Sequence, residues 1–138
     1  MNNEATIGGI VVGGQPNAAD IASGRLSTVV NCRPDDEPGN VTADLVRGTT
    51  IAYTAIPFTA ATLAEEHIAA MRASLDRATG TTLVHCLGGT RAAVAVAVVL
   101  AERAGTGADA AVKAVADAGF DIAGGPFEAF IRRYFARS

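Results

Sequence analysis

The segment from residue 81 to residue 103 constrains the fold of this 138-residue chain more than any other. It begins with TTLVH, a β-branched and apolar run that predicts a buried strand, and continues through CLGGTR into AAVAVAVVLA. The last run has roughly half the length that a membrane-spanning helix needs. Because it is apolar nearly all round, we expect a helix that passes through the core of a globular domain.

The rest of the sequence alternates short strands with helices. Further strands are predicted over 9–12, 26–32 and 50–56. Helices are predicted over 18–23, 42–47, 62–80, 92–103 and 108–118, and from Pro126 onward. Strands that alternate with helices predict an α/β fold with a central, largely parallel sheet and helices on both of its faces. The length fits a single domain over 1–138.

Several details refine these helices. Asn17 with Asp20, and Thr62 with Glu65, have the spacing of a helix N-terminal cap. The last helix carries a stripe of apolar side chains at helical spacing, which predicts core packing and leaves an interaction surface as the alternative. The stripe consists of Phe127, Phe130, Ile131, Tyr134 and Phe135.

Composition excludes several classes of protein. The formal net charge is -3, whereas a nucleic-acid or acidic-membrane binder needs a basic face. Two cysteines are too few for a disulfide scaffold, and the two histidines show no metal-ligand spacing. No metal or organic cofactor is implied. The N-terminus lacks the features of a signal peptide, so we expect a cytoplasmic protein.

The loop 86–91 is the strongest candidate for a functional site. Cys86 follows a predicted strand and precedes a predicted helix, and sites in parallel sheets lie beyond the carboxyl ends of the strands. Glycines in the loop let backbone N–H groups converge on an anion at the helix N-terminus. Arg91 adds a planar fork of donors that suits an oxyanion. This environment favours a nucleophilic Cys86 thiolate, with Leu87, Gly88, Gly89 and Thr90 forming an anion-binding loop.

The pattern HCxxGxR resembles the active loop of cysteine-dependent phosphatases and of rhodanese-type sulfurtransferases. GGQP, VVNCRPDDEPG, YTAIPF and VHCLGGTR occur in the order found in the phosphatase-like domain of beta-lactamase hydrolase-like proteins. The resemblance covers roughly residues 8–119. It implies a dual-specificity-phosphatase-like three-layer sandwich with Cys86 as nucleophile, Arg91 as the anion-binding arginine and Arg33 as the arginine of the family's RP loop.

Three departures from a phosphatase bear on the reaction. Four residues separate Cys86 from Arg91 instead of five, which is the spacing of rhodanese-like sulfurtransferases. Ala92 stands where phosphatases have a Ser or Thr, and Thr90 is the nearest hydroxyl that could replace it. The loop 57–64 contains no acid to protonate a leaving group. Asp35, Asp36 or Glu37 could reach the site from the neighbouring loop, or could belong to a solvated turn.

These departures favour a sulfurtransferase that carries a persulfide on Cys86, because good leaving groups need no general acid. Its substrate is then a small anion or a sulfane-sulfur compound. A persulfide-processing partner enzyme is expected, since members of the resembled family are fused to persulfide-handling domains. A phosphatase that forms a Cys86 thiophosphate is the alternative. A non-catalytic oxyanion-binding module is the third hypothesis.

Two neighbouring residues are candidates for a supporting role, each with a purely structural interpretation that is favoured. The side chain of His85 is expected to point away from that of Cys86. A buried, hydrogen-bonded His85 is favoured over one that assists the site. Cys32 ends the strand 26–32, at the same edge of the predicted sheet as Cys86. Cys32 is interpreted as a packed core residue, with a resolving thiol that protects Cys86 as a disulfide as the alternative.

Overall fold

Five strands form one sheet in the order β1-β2-β5-β3-β4. In this computed structural model, which describes residues 1–137, the strands are β1 (Ala5–Ile7), β2 (Ile10–Gly13), β3 (Thr28–Asn31), β4 (Ala52–Ala55) and β5 (Thr82–His85). The pairs β2–β5, β5–β3 and β3–β4 are parallel, and only β1 is antiparallel. The prediction of a largely parallel sheet is confirmed, while β1 was not predicted.

Helices cover both faces of the sheet, as predicted. They are α1 (Ala18–Ala22), α2 (Thr42–Val46), α3 (Glu65–Arg77), α4 (Thr90–Ala104), α5 (Ala108–Asp117) and α6 (Pro126–Ala136). Alternate residues of the central strands point to opposite faces. Val11, Val29 and Leu83 pack with Ile21 of α1 and Val46 of α2. Their neighbours Val12, Val30 and Val84 belong to the larger core that α3, α4, α5 and α6 cover.

Helix α4 is the centre of the larger core. Nine of its residues are buried, and it packs against β1, β2, β5, α3, α5 and α6. It begins at Thr90 rather than at residue 92, because Gly89 serves as its N-cap and starts the helix two residues earlier. The cysteine loop is therefore shorter than predicted, which brings Cys86 close to the first turn of the helix.

The two predicted capping motifs have different outcomes. At α1 the Asn17 side chain accepts from the Asp20 amide at 2.8 Å and the Asp20 carboxylate accepts from the Asn17 amide at 2.9 Å, as predicted. The predicted box of Thr62 with Glu65 is wrong. Thr62 instead accepts from the Thr59 amide, and α3 begins after Ala64, whose amide donates to the ring of His67.

The aromatic stripe of α6 faces the core. Phe130, Ile131 and Tyr134 are buried, and Phe127 and Phe135 pack partly buried against the same cluster. No helix among residues 1–137 is long and apolar enough to cross a membrane.

Candidate active site

The candidate site lies at the carboxyl edge of the four parallel strands. Each of these strands runs into a loop at this edge, and β5 stands between β2 and β3. The amide of Cys86 donates to the carbonyl of Gly13 at 3.2 Å, and the amide of Cys32 donates to the carbonyl of His85 at 2.8 Å. The loops after β2, β5 and β3 are therefore joined by backbone hydrogen bonds where the cysteine loop begins.

Cys86 lies at the bottom of a cleft, with only 1% of its surface exposed. Its Sγ accepts a hydrogen bond from the amide of Gly89 at 3.1 Å. Gly89 is the N-cap of α4, so the sulfur lies at the positive end of a 15-residue helix. The sulfur thus has the position beside a helix N-terminus that the sequence predicts for Cys86.

Two glycines are required by the way the loop is packed. Gly89 has φ +104°, and a Cβ there would lie 2.7 Å from the ring of Phe120. At Gly14 a Cβ would lie 2.5 Å from the carbonyl oxygen of Leu87. The amide of Gln15 donates to that same carbonyl at 3.1 Å. The segment GGQP, at the end of β2, thus packs against the cysteine loop and is hydrogen-bonded to it.

Arg91 extends from the first turn of α4 to the loop after β3. Its Nη1 and Nη2 each donate to one oxygen of the Glu37 carboxylate at 2.9 Å, and Nη1 also donates to the carbonyl of Phe58 at 3.3 Å. A guanidinium has five N–H donors, so these contacts leave Nε–H and one N–H of Nη2, which form a side-on fork. Interaction with Glu37, and more weakly with Cys86, raises the pKa of Arg91. These two N–H groups, which we call the Arg91 fork, are thus available to an oxyanion in the cleft.

Glu37 is held by two arginines. Its Oε1 also accepts from the Nε of Arg33 at 2.8 Å, and the Arg33 side chain is 1% exposed. Hydrogen bonds from Arg91 and then Arg33 outweigh the effect of burial and lower the pKa of Glu37 to about 2. A carboxyl group with this pKa is ionised at neutral pH, so Glu37 positions Arg91 and holds no proton for a leaving group.

Arg33 does not reach the cleft. Its guanidinium donates to the side chain of Gln15 at 2.7 Å and to the carbonyl of Gly39 at 2.9 Å, and it also donates to the carbonyl of Pro38. These contacts close the loop 33–40 around a buried cation. Arg33 therefore supports the site through Glu37.

His85 is buried on the face opposite to Cys86. Its Nε2 lies 2.9 Å from the hydroxyl of Thr42, and its Nδ1 lies 3.1 Å from the carbonyl of Cys86. A carbonyl only accepts, so Nδ1 carries the proton and the Thr42 hydroxyl donates to Nε2. Burial lowers the pKa of His85 to about 4. The neutral ring connects the start of the cysteine loop to Thr42, which in turn accepts from Gln15 at 2.7 Å.

Cys32 lies beside Cys86 at the end of the neighbouring strand. The register pairs Asn31 with His85, so the next residue of each strand is a cysteine. Cys32 is fully buried and both cysteines are free thiols. Burial, reinforced by the neighbouring Cys86, raises the pKa of the Cys32 thiol. Cys32 is therefore a poor nucleophile in this structure, and its role as a resolving thiol stays a prediction.

The cleft above Cys86 has a volume of about 410 Å³. Its lining residues come from five loops or helices and include five of the six residues predicted for the cysteine loop. They are Glu37, Thr59, Ala60, Cys86, Leu87, Gly88, Thr90, Arg91 and Phe127. The sixth residue of the loop, Gly89, does not line the cleft but donates its amide to the sulfur. Arg33, Cys32, His85, Asp35 and Asp36 do not line the cleft, and Asp35 and Asp36 are exposed on the turn beyond it.

Sequence reasoning missed two parts of this arrangement. Glu37 was considered as an acid or as part of a solvated turn, yet it is the ionic partner of Arg91. The spacing of four residues between Arg33 and Glu37 could have indicated the ion pair of these two residues, but not the pairing of Glu37 with Arg91. Phe127 enters from α6, and nothing in its neighbouring sequence connects it to the cysteine loop. Among residues 1–137 no group of three acidic, histidine or cysteine side chains could hold a metal ion.

The sequence profile of one family matches residues 7–104. That family is "Beta-lactamase hydrolase-like protein, phosphatase-like domain". The chain belongs to this family. A beta-lactamase hydrolase-like protein of Agrobacterium fabrum is 33% identical over 91 residues, which are 60% of this chain and 21% of that protein. A second such protein, from Xylella fastidiosa (strain Temecula1), is 32% identical over 91 residues, which again are 60% of this chain and 21% of that protein. This phosphatase-like domain thus spans about a fifth of the length of its curated relatives.

Solved structures show the same fold. The core catalytic domain of the PP-IP phosphatase SIW14 from S. cerevisiae superposes with a TM-score of 0.73 at 15% identity, covering 94% of this chain and 83% of that one. TpbA from P. aeruginosa superposes with a TM-score of 0.75 at 19% identity, covering 96% and 84%. The phosphatase-like family and these neighbours confirm the predicted dual-specificity-phosphatase-like architecture.

Proposed function

We propose that this domain is a cysteine-dependent phosphatase that hydrolyses phosphomonoesters through a Cys86 thiophosphate. One observation carries the proposal: the Cys86 sulfur lies at the N-terminus of α4, in a cleft that also holds the Arg91 fork. Membership in a phosphatase-like family favours phosphoryl transfer over the sulfur transfer that the sequence ranks first.

The reaction has two steps. The Cys86 thiolate attacks phosphorus, the bond from phosphorus to the ester oxygen breaks, and the departing alcohol takes a proton from water. The fork of Arg91 and the amides at the start of α4 stabilise the charge on the non-bridging oxygens. Water then attacks the thiophosphate, which releases inorganic phosphate and restores the thiolate.

Sulfur transfer remains a second candidate for one structural reason. The acid that lines the cleft is Glu37, whose pKa of about 2 leaves it ionised. When Cys86 attacks the outer sulfur of a persulfide, the S–S bond breaks and a thiolate leaves without needing a proton, so such a donor suits this cleft. In that reaction Cys86 takes one sulfur atom from the donor and passes it to a thiol acceptor, and a persulfide-processing partner enzyme stays part of this proposal.

Intact mass spectrometry distinguishes the two. The protein is incubated with 4-nitrophenyl phosphate, or with glutathione persulfide, and quenched in acid. We expect the wild-type protein to gain one phosphoryl group and to release 4-nitrophenol steadily. The same adduct should form in Cys32→Ala and should be absent in Cys86→Ser. Gain of a single sulfur atom with no phosphoryl adduct would establish the sulfur-transfer reaction instead. If phosphate binds without any adduct or turnover, the domain is an oxyanion-binding module.

A further inference from the structure

Part of the lining of the cleft is apolar. Leu87 follows the nucleophile and is 53% exposed, one of two large hydrophobic residues with exposed side chains among residues 1–137. Ala60 and Phe127 line the same cleft. An exposed leucine beside a reactive thiol leaves apolar surface in water, and burying that surface against a ligand is favourable.

The charges around the cleft are unfavourable for a second anion. The charged lining residues are Arg91 and Glu37, which are paired with each other. Two hollows share Thr90 with the cleft, and the acidic Asp121 lines both. No basic residue lines either hollow within residues 1–137. An additional phosphate or carboxylate on the substrate would therefore meet carboxylates without a cation to pair with.

We infer that the substrate is a singly phosphorylated compound with an apolar aryl or alkyl body, and that Leu87 selects this body. This inference rests on the proposed phosphatase function and adds the substrate class. One phosphate occupies the Arg91 fork above Cys86, while the body lies against Leu87 and Phe127. Polyphosphorylated sugars and nucleic-acid ends are disfavoured, because their further charges lie over Glu37 and Asp121.

Binding to a substrate-trapping variant tests this selection. Calorimetry on Cys86→Ser protein compares phenyl phosphate, 4-butylphenyl phosphate and 4-carboxyphenyl phosphate. A fully buried methylene is worth about fourfold in affinity. In this open cleft we therefore expect the whole butyl group to gain about fivefold to tenfold over phenyl phosphate. The carboxylate should weaken binding by roughly threefold or more.

Variants at Leu87 assign the effect to this residue. With Leu87→Ser added to Cys86→Ser, the advantage of the butyl group should fall to about twofold or less. Leu87→Lys should reverse the order in favour of the carboxylated ester. Val41→Ser is the matched control, since Val41 is the other exposed large hydrophobic, at 45%, and does not line the cleft. This control should keep the full advantage.

The results separate this inference from the proposed function. Any of four results would overturn the inference. They are equal binding of the three esters, a preference for the carboxylated ester, no binding at all, and a butyl advantage that survives Leu87→Ser. Hydrolysis of 4-nitrophenyl phosphate by the wild-type protein is measured separately. Its absence would refute the phosphatase function, whereas the order of affinities still decides the selection by Leu87.

Discussion

Replacing Glu37 by Gln tests the ion pairs that position Arg91. The carboxylate accepts from Arg91 through both oxygens at 2.9 Å and from the nearly buried Arg33 at 2.8 Å. Glutamine retains the shape and one acceptor oxygen but loses the charge. Arg33 keeps its bonds to Gln15, Pro38 and Gly39, so we expect the variant to fold.

The magnitude follows from the pKa of Glu37, which falls from 4.5 to about 2 on folding. A shift of this size corresponds to at most ~3 kcal/mol of preference for the folded state. Because the carboxylate is 21% exposed, water screens part of this interaction, and we expect Glu37→Gln to cost about 2 kcal/mol at pH 7. For a domain of this size that is a drop in Tm of roughly 6–10 °C.

The pH dependence has a definite sign. A carboxyl group with a depressed pKa stabilises the folded protein fully above its unfolded value of 4.5, and this contribution is lost as pH falls through about 2. The difference between wild type and Glu37→Gln should therefore be constant from pH 7 to pH 5. It should shrink to less than half near pH 3.

Urea denaturation at these pH values, followed by circular dichroism, measures the difference. Asp36→Asn is the matched control, because it removes a carboxylate from the exposed turn of the same loop and should change stability by at most ~0.5 kcal/mol. A Glu37→Gln variant as stable as the wild type at pH 7, or a deficit that is independent of pH down to 3, would show that the ion pairs do not form.

Three further outcomes are expected. Gly89→Ala should lower the free energy of unfolding in urea by about 3 kcal/mol, because an alanine at positive φ is strained and its Cβ would lie too close to Phe120. Gly88→Ala, which has open space around it, should lower it by under ~1 kcal/mol. Folding lowers the pKa of His85 from 6.5 to about 4, so the free energy of unfolding should fall as pH drops from 6.5 toward 4. In His85→Gln the free energy of unfolding should depend less on pH over that range. An equal pH dependence would contradict the neutral ring. Phosphatase activity should depend steeply on the leaving group, with 4-nitrophenyl phosphate hydrolysed at least ~100-fold faster than phenyl phosphate, because the ionised Glu37 supplies no proton; similar rates would reveal an acid.

The sequence predicts the fold well because its patterns are local. The buried strand 82–85, the glycine loop and the apolar helix α4 follow from hydrophobicity and glycine alone, and they place Cys86 correctly at a strand-to-helix junction. The edge strand β1 was missed because three residues give too short a pattern for alternation to be recognised. The start of α3 at Glu65 was misplaced because the ring of His67 accepts from the amide of the N-cap Ala64, and the predicted box of Thr62 with Glu65 does not form.

The contacts that complete the site are long-range and could not be predicted. Glu37 and Arg91 are 54 residues apart, and their pairing depends on β3 and β5 being neighbours in the sheet. Strand order is set by packing across the whole sheet, which no local motif encodes. Phe127 likewise reaches the cleft only because α6 packs on α5 and α4.

The pairing of Arg91 with Glu37 also links the two candidate reactions. An arginine that must receive an oxyanion in a fixed direction benefits from a partner that holds it, and Glu37 does so with two hydrogen bonds. The same bonds keep Glu37 ionised, so the residue that orients the fork is unavailable as a proton donor. A phosphate ester of an acidic alcohol and a persulfide donor share one property, since the alkoxide of the first and the thiolate of the second can leave without a proton. We therefore expect the site to select for the leaving group first. Under the proposal above, the exposed side chain of Leu87 then distinguishes among the substrates that satisfy that condition.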